Sequence, residues 1–232
     1  MLRNLLLEAP ALRLKSFRCA AVLFDLDGVL VDSTHSVSRQ WRIWANENNL
    51  EPARILEIAH GRRTAEVVEL LTPHLAVEDE VTKIEQREAA DTDGVRVMPG
   101  APELVAAIPD GYWCVVTSGT RYLATSRLRL AGIRIPKVLV SAEDVVKGKP
   151  APEPYLKGAR MLGMEPAQCL VIEDAPAGIL SAHAAGMKVV ALTSTYPASE
   201  LGEADGLVQS IAQIRLSFDA ARSKQALDIS IV

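Results

Sequence analysis

Ala20-Ala21-Val22-Leu23-Phe24-Asp25-Leu26-Asp27-Gly28-Val29-Leu30-Val31-Asp32 decides the fold. An apolar run of strand length ends in two carboxylates with one residue between them, followed by a glycine. In an extended chain residues i and i+2 share a face, so Asp25 and Asp27 leave the strand on the same side. Like charges held that close repel unless a cation or a reaction requires them there. Open α/β sheets take their ligands just beyond the C-terminal edge of the strands, so a buried strand that ends in paired acids has the layout of an active site. Asp-x-Asp-Gly is also common in plain turns, and a calcium loop begins Asp-x-Asp. A helix-loop-helix calcium loop, however, needs a further acid or amide before its glycine and a glutamate at its twelfth position. Gly28 comes too early for that, and the residues before Asp25 are strand-like rather than helical.

Outward from this stretch the rhythm is first helical and then alternating. Between about Ser33 and Asp93 no convincing strand occurs; Trp41, Trp44, Ile55, Ile58, Val67, Val68, Leu70, Leu71 and Ile84 recur at roughly helical spacing. From there the spacing predicts strands over Tyr112–Thr117, Val138–Val140, Cys169–Ile172, Val189–Leu192 and Leu207-Val208. Helices are predicted between them over Arg121–Leu130, Pro152–Leu162 and Ala177–Ala185. Strands alternating with helices of this length imply a parallel sheet covered on both faces. The predicted fold is therefore α/β: a Rossmann-like parallel sheet core with an α-helical insertion directly after its first strand. The predicted division is a first core segment 1–32 (about 1–19 an N-terminal extension), helices over 33–93 and a second core segment 94–232.

Composition narrows the function classes. A chain of 232 residues with 49% hydrophobic side chains builds one core with room for a smaller insertion. The net charge of −4, with no polybasic block, gives no footprint for nucleic acid or an anionic membrane. An anionic substrate would gain nothing from that overall charge, so its site must be built locally from lysine, arginine, metal or backbone amides. Cys19, Cys114 and Cys169 are an odd set without disulfide spacing and read as buried thiols of a reducing compartment. Met1 to Phe17 is too broken by Glu8, Pro10, Arg13 and Lys15 for a signal peptide. No apolar run approaches the ~18 residues of a membrane span. The expectation is a cytoplasmic monomer that acts on a small molecule.

Three further strand ends carry polar groups: Thr117-Ser118-Gly119-Thr120-Arg121, Lys147-Gly148-Lys149-Pro150 ahead of a helix, and Glu173-Asp174-Ala175-Pro176-Ala177-Gly178. In isolation Ser118 or Thr120 could simply cap the next helix. Lys149 could be a solvated lysine, and Glu173 and Asp174 could be favourable first-turn charges. Those plain readings do not explain why paired acids, a hydroxyl, a lysine and a second acid pair follow one another in this order along one sheet edge.

That ordered set resembles the haloacid dehalogenase superfamily of phosphotransferases over about residues 20 to 215. Its first motif matches Phe24–Gly28, the second Ser118, the third Lys149 and the fourth Glu173-Asp174, and the insertion resembles the small helical cap of one branch. Within that branch, Thr117–Thr120, Gly148–Leu156 and Glu173–Gly178 look like the sugar and polyol phosphatases, including those of 2-deoxyglucose 6-phosphate, glycerol phosphate and hexitol phosphate. The resemblance implies a magnesium-dependent phosphomonoesterase acting on a small phosphorylated metabolite. Asp25 would be the nucleophile, since a carboxylate that attacks phosphorus splits one hard step into two. Asp27 would be the acid and then the base. Asp25, the backbone carbonyl of Asp27 and Asp174 would hold Mg2+, with Glu173 among or beside the ligands. Ser118, Lys149 and the amides near Leu26 and Gly119 would hold phosphoryl oxygens.

Neighbouring activities are graded by the same residues. Dehalogenases of this superfamily lack the second acid, because a halide needs no proton, so Asp27 argues for phosphate chemistry. A response-regulator receiver carries its phosphorylated aspartate on a middle strand and has no helical insertion after the first. A mutase of the β-phosphoglucomutase type places a histidine where this chain has Val37, with His35 close by. A binding module on an inactive scaffold is disfavoured, because no catalytic position is missing. His60-Gly61-Arg62-Arg63-Thr64 looks like the family's substrate-facing loop, so His60, Arg62 and Arg63, with Gly119, Thr120 and Arg121, are the candidate substrate contacts. Trp41 and Trp44 are read as core of the insertion.

Overall fold

The computed structural model describes residues 15–59, 61–222 and 226–231. In chain order the elements are β1 (Ser16–Cys19), β2 (Ala21–Phe24), β3 (Val31–Asp32), α1 (Thr34–Glu47), α2 (Pro52–Ala59), α3 (Thr64–Leu71) and α4 (Val77–Ala90). Next come β4 (Arg96–Val97), α5 (Ala101–Ala106), β5 (Trp113–Val116), α6 (Arg121–Leu130), β6 (Leu139–Val140) and α7 (Glu153–Leu162). The chain closes with β7 (Cys169–Glu173), α8 (Pro176–Ala184), β8 (Lys188–Leu192), β9 (Gly206–Val208), β10 (Ile214–Phe218) and β11 (Leu227–Ile231).

The main sheet has the parallel order β6-β5-β2-β7-β8-β9, with β2 near its centre. Phe24 stands opposite Val115 on one side and Ile172 on the other, so the ends of β5, β2 and β7 finish level. All four residues of β2 are buried, as a strand covered on both faces requires. Val22 and Phe24 face one apolar cluster with Trp113, Leu104, Val105 and Leu128; Ala21 and Leu23 face another with Tyr155, Ala159, Ile179 and Ala182. That period-two split is what sandwiches the strand between α5 and α6 on one face and α7 and α8 on the other. Phe24 meets Trp113 edge-on, ring centroids 6.2 Å apart, and truncating such a buried aromatic costs about 3–5 kcal/mol.

The helical insertion leaves after β3 and returns through β4, which pair antiparallel with Val31 opposite Val97 and Asp32 opposite Arg96. Its helices bury their own cluster, Trp41, Trp44, Ala45, Ile55, Ala59, Val67, Val68 and Ile84. Trp41 and Trp44 meet edge-on at 5.3 Å, and the Trp44 indole donates to Glu80 Oε2 at 2.6 Å. No helix among the described residues is long and apolar enough to cross a membrane. Cys19, Cys114 and Cys169 are free and buried; burial pushes the thiols of Cys19 and Cys169 up to about 12.

Two features were not expected. Helix α5 follows Gly100, whose positive φ of +94° turns the chain. More consequentially, Ser16–Cys19, at the end of the expected N-terminal extension, forms β1: it pairs antiparallel with β11, and β11 with β10, in a second, three-stranded sheet. Phe17, Leu227 and Ile229 join the main core cluster, so this sheet covers apolar surface of the parallel sheet's layer. The earlier part of the expected extension, before residue 15, lies outside the described residues.

Candidate active site

Asp25 follows β2 directly, and its amide donates to Ile172 O at 3.0 Å, so the ladder holds the backbone up to the acid. The chain then turns sharply: Gly28 N donates to Val31 O at 2.7 Å with Gly28 at φ +81°. A Cβ there would lie 1.9 Å from Asp174 Oδ2. Glycine at this position is thus needed twice, for the left-handed backbone and for the close approach of a carboxylate.

Lys149 ties the acids together. Its ammonium, 2% exposed, donates to Asp25 Oδ1 at 2.5 Å, Glu173 Oε1 at 2.7 Å and Val116 O at 3.1 Å. Glu173 Oε1 also accepts from the Tyr155 hydroxyl at 2.9 Å, and Oε2 accepts from the amides of Asp174 and Ala175 at 2.8 and 3.0 Å. The carboxylate lies tight over Gly178, where a Cβ would stand 1.7 Å from Oε1. Burial opposes ionisation of Glu173, but the Lys149 ammonium and these donors outweigh it and hold the pKa below the usual range. Asp25 moves the other way. Burial pushes it up to about 7, Glu173 and Asp27 add to the rise, and Lys149 only partly offsets it.

Asp27 looks toward the insertion instead. Ser33 Oγ donates to its Oδ1 at 2.7 Å, and Arg127 Nη1 donates to Oδ2 at 2.7 Å. Arg127, on α6, also donates through Nη2 to Glu88 Oε2 of α4 at 2.6 Å. Burial, with Asp27 and Glu85 adding, pushes Glu88 up to about 7 against the pull of Arg127. The cavity between sheet edge and helices has a volume of about 80 Å³. Asp25, Asp27, Ser118, Gly119, Asp174, Arg62, Glu88 and Arg127 are among its lining residues.

The structure brings most of the expected residues to this cavity, but not all. Ser118 lines it, although its one hydroxyl proton is spent on Gly61 O at 2.9 Å. Thr120 turns to Glu85, donating from both its amide and its hydroxyl, and accepts from Leu123 N as the N-cap of α6. Arg121 points along the outside of the sheet edge to Asp144 Oδ2 at 2.5 Å and Leu139 O at 3.1 Å. Arg63 donates to Val145 O at 3.2 Å and Val146 O at 3.0 Å and pairs with Glu66, so it braces the insertion against the core. Thr120, Arg121 and Arg63, expected as substrate contacts, are thus bonded to protein partners and do not line the cavity. His60 lies outside the described residues. Trp41, expected only as core, also lines the cavity.

Glu85, Glu88 and Arg127 were missed by sequence reasoning. They sit inside helices, away from any strand end, and Glu85 and Glu88 look like one more charged helix face. The available signal was their spacing of three, which puts both on the side of α4 that also carries buried Ile84.

The donor set suits a hard cation. Asp174 is buried, and burial together with Glu173 and Asp25 pushes its carboxyl well above the ordinary range. The Lys149 ammonium, the one buried lysine among the described residues, already serves Asp25 and Glu173, so an additional positive charge beside Asp174 would relieve it. Among the described residues no three acidic, histidine or cysteine side chains already form a metal shell. Magnesium does not need one, because it keeps several waters and takes one or two carboxylates. Glu173 is a poor ligand here: its four lone-pair directions are taken by Lys149, Tyr155 and two amides. Of the two places expected for Glu173, among the metal ligands or beside them, this favours the second, where it anchors Lys149.

The model of the haloacid dehalogenase-like hydrolases matches residues 19–186. Hexitol phosphatase A of Escherichia coli (strain K12) is 40% identical over 208 residues, which span 86% of this chain and 95% of that protein. Glycerol-1-phosphate phosphohydrolase 2 of Saccharomyces cerevisiae is 34% identical over 215 residues, 87% of this chain and 86% of that one. Among solved structures, a hydrolase from Pseudomonas syringae superposes with a TM-score of 0.75 at 27% identity, covering 83% of this chain and 94% of that one.

Proposed function

The chain belongs to the haloacid dehalogenase-like hydrolases, and from that premise we propose that this phosphatase is a magnesium-dependent enzyme hydrolysing a small sugar or polyol phosphate through an aspartyl-phosphate. The observation that carries the reading is the split between the two acids. Asp25 is pinned at the cavity floor by one oxygen to Lys149, while Asp27 is turned to the opposite wall by Ser33 and Arg127. Nucleophile and proton carrier need different positions, one under the phosphorus and one beside the leaving oxygen. The polyol and sugar assignment rests on the relatives' activities, hexitol phosphate and glycerol 1-phosphate hydrolysis.

In the proposed reaction Asp25 attacks phosphorus, the bond to the leaving oxygen breaks, and Asp27 gives that oxygen a proton. Water then attacks the phosphorus, Asp27 takes its proton, and the bond to Asp25 breaks to release phosphate. Lys149 holds the nucleophile and offsets the charge that gathers on the phosphoryl oxygens. Ser118, which lines the cavity, would donate there too once it gives up Gly61. Asp25, Asp174 and the main-chain carbonyl of Asp27 would hold magnesium, which when bound supplies positive charge to the phosphoryl group. On this reading residues 33–93 act as a cap over the leaving group. The mutase alternative lacks its histidine: Val37 stands at that position and lines the cavity, and His35 is exposed beside Gly94.

The test is phosphate release from a panel of phosphomonoesters with magnesium, with EDTA and with calcium. Activity on small hydroxylated esters should require magnesium, and calcium should not replace it, because its looser shell invites wrong carboxylate coordination. Undiminished turnover by protein shown to be metal-free would sink the assignment, and a hexose 1-phosphate isomerised faster than it is hydrolysed would favour the mutase.

A further inference from the structure

The wall of the cavity opposite Asp25 carries an ion pair with unused hydrogen-bonding capacity. Arg127 and Glu88, from α6 and α4, have side chains only 5% and 4% exposed, and both line the cavity. Arg127 uses Nη1 on Asp27 and Nη2 on Glu88. Its Nε is buried without a partner, the one such side-chain nitrogen or oxygen among the described residues. Burying a guanidinium donor with no acceptor is costly, and native structures rarely tolerate it away from a functional site. Glu88 meets Arg127 through Oε2. No donor among the described residues reaches its Oε1.

A charged acceptor with a free oxygen complements a group that donates, and a hydroxyl does so. The neighbouring lining is apolar, with Val37, Trp41, Ala59 and Leu123, and suits the carbon chain that would carry it. Glu85, one turn before Glu88, cannot compete, because Thr64 and Thr120 occupy both its oxygens. We propose that Glu88, held in place by Arg127, reads a hydroxyl of the leaving group, with its Oε1 accepting from it. The pair thereby selects hydroxylated phosphomonoesters over alkyl esters. This deepens the phosphatase reading of the same cavity and rests on it.

The experiment compares kcat/KM for sorbitol 6-phosphate with that for hexyl phosphate, which has the same carbon chain without the hydroxyls. Wild-type protein should prefer the polyol ester by about a hundredfold or more, since a site built to bond a hydroxyl rejects an analogue that leaves it unpaired. Glu88→Gln should shrink that ratio by about tenfold, as loss of a charged acceptor would. Inhibition by inorganic phosphate, which has no leaving group, should shift far less than the ratio. Equal treatment of the two esters by the wild type would overturn the proposal, as would a Glu88→Gln protein that slows both by one common factor. Should Glu88→Gln fail to fold, single-deoxy analogues of sorbitol 6-phosphate decide the matter on the wild type. At least one deletion should cost tenfold, and a flat series refutes the assignment. Failure of the phosphatase reading looks different, because then neither these esters nor p-nitrophenyl phosphate releases phosphate.

Discussion

The sheet edge and the helical insertion hold their polar groups in opposite ways. At the sheet edge the acids are fixed by backbone: the Asp25 amide bonds into the ladder, and Glu173 is gripped by two amides, a tyrosine and a lysine. The insertion has its own apolar cluster and reaches the core through single side chains. Ser118 reaches Gly61, Arg63 reaches Val145 and Val146, Thr120 reaches Glu85, and Arg127 reaches Glu88. Strand ends cannot shift without breaking the sheet, whereas side-chain bridges can be exchanged one at a time. The difference suits a division of labour in which phosphoryl chemistry stays constant and recognition of the leaving group is adjustable.

Lys149→Met should break the rigid half most severely. It leaves Asp25 and Glu173 buried without their cation, a loss of about 3–5 kcal/mol for a broken buried pair. Turnover should drop by about 10²–10³ with the lost charge stabilisation. Urea unfolding and steady-state kinetics check both, and a Lys149→Met protein as stable as the wild type would show that the ion cluster is not what fixes this edge. Gly28→Ala should come next, since a Cβ would meet Asp174 Oδ2 at 1.9 Å on a backbone at φ +81°. A non-glycine residue held there costs about 1–3 kcal/mol. Magnesium should bind more weakly, read by calorimetry, and unchanged affinity would remove Asp174 from the proposed ligands.

On the adjustable half, two adjacent arginines should behave differently. Arg63 bonds core carbonyls, so Arg63→Ala should slow every ester by a similar factor, about tenfold for lost charged hydrogen bonds. Arg62 lines the cavity, so Arg62→Ala should reorder the substrates instead. The same ranking in both variants would erase the distinction. The smallest effect concerns the stem of the insertion. The Arg39 guanidinium, with Gln40 and Ser36 assisting, holds Asp91 down at about 2, against about 3.9 for a free aspartate. Its stabilising contribution is therefore complete above about pH 4 and disappears as pH falls through about 2. Asp91→Asn should melt a few degrees lower at pH 7, with the gap closing between pH 4 and 2, because an exposed guanidinium partner is well solvated.

What the sequence made legible follows the same division. The strand ends could be read, because apolar runs stop abruptly at Asp25, Ser118 and Glu173, and a parallel sheet must bring those stops to one edge. Lys149 could be placed with them from its position ahead of a helix, but no local pattern says that a loop lysine is buried. The wall of the insertion was not legible. Glu88 finds Arg127 across a sequence gap of 39 residues, and each alone looks like a solvated helix charge. For Arg121 and Arg63 the converse holds: a cation near a strand end, or in a loop of the insertion, suggests an anion, and only the fold reveals their bonds to Asp144 and to two carbonyls. The sheet of β1, β10 and β11 joins the two ends of the chain, where no short-range periodicity foretells pairing.

The covalent step is the central claim, and rapid-quench kinetics of Asp27→Asn with p-nitrophenyl phosphate tests it most directly. The substitution keeps the side-chain shape and the backbone carbonyl but removes the proton carrier. p-Nitrophenolate leaves without a proton, so Asp25 should still be phosphorylated, while hydrolysis of the acyl phosphate slows by about 10²–10⁴ for want of a base. The expected result is a burst of p-nitrophenol equal to the enzyme present, with labelled phosphate retained on Asp25. Label on another residue, or steady turnover by Asp25→Asn, would contradict the aspartyl mechanism and leave these carboxylates to the metal alone.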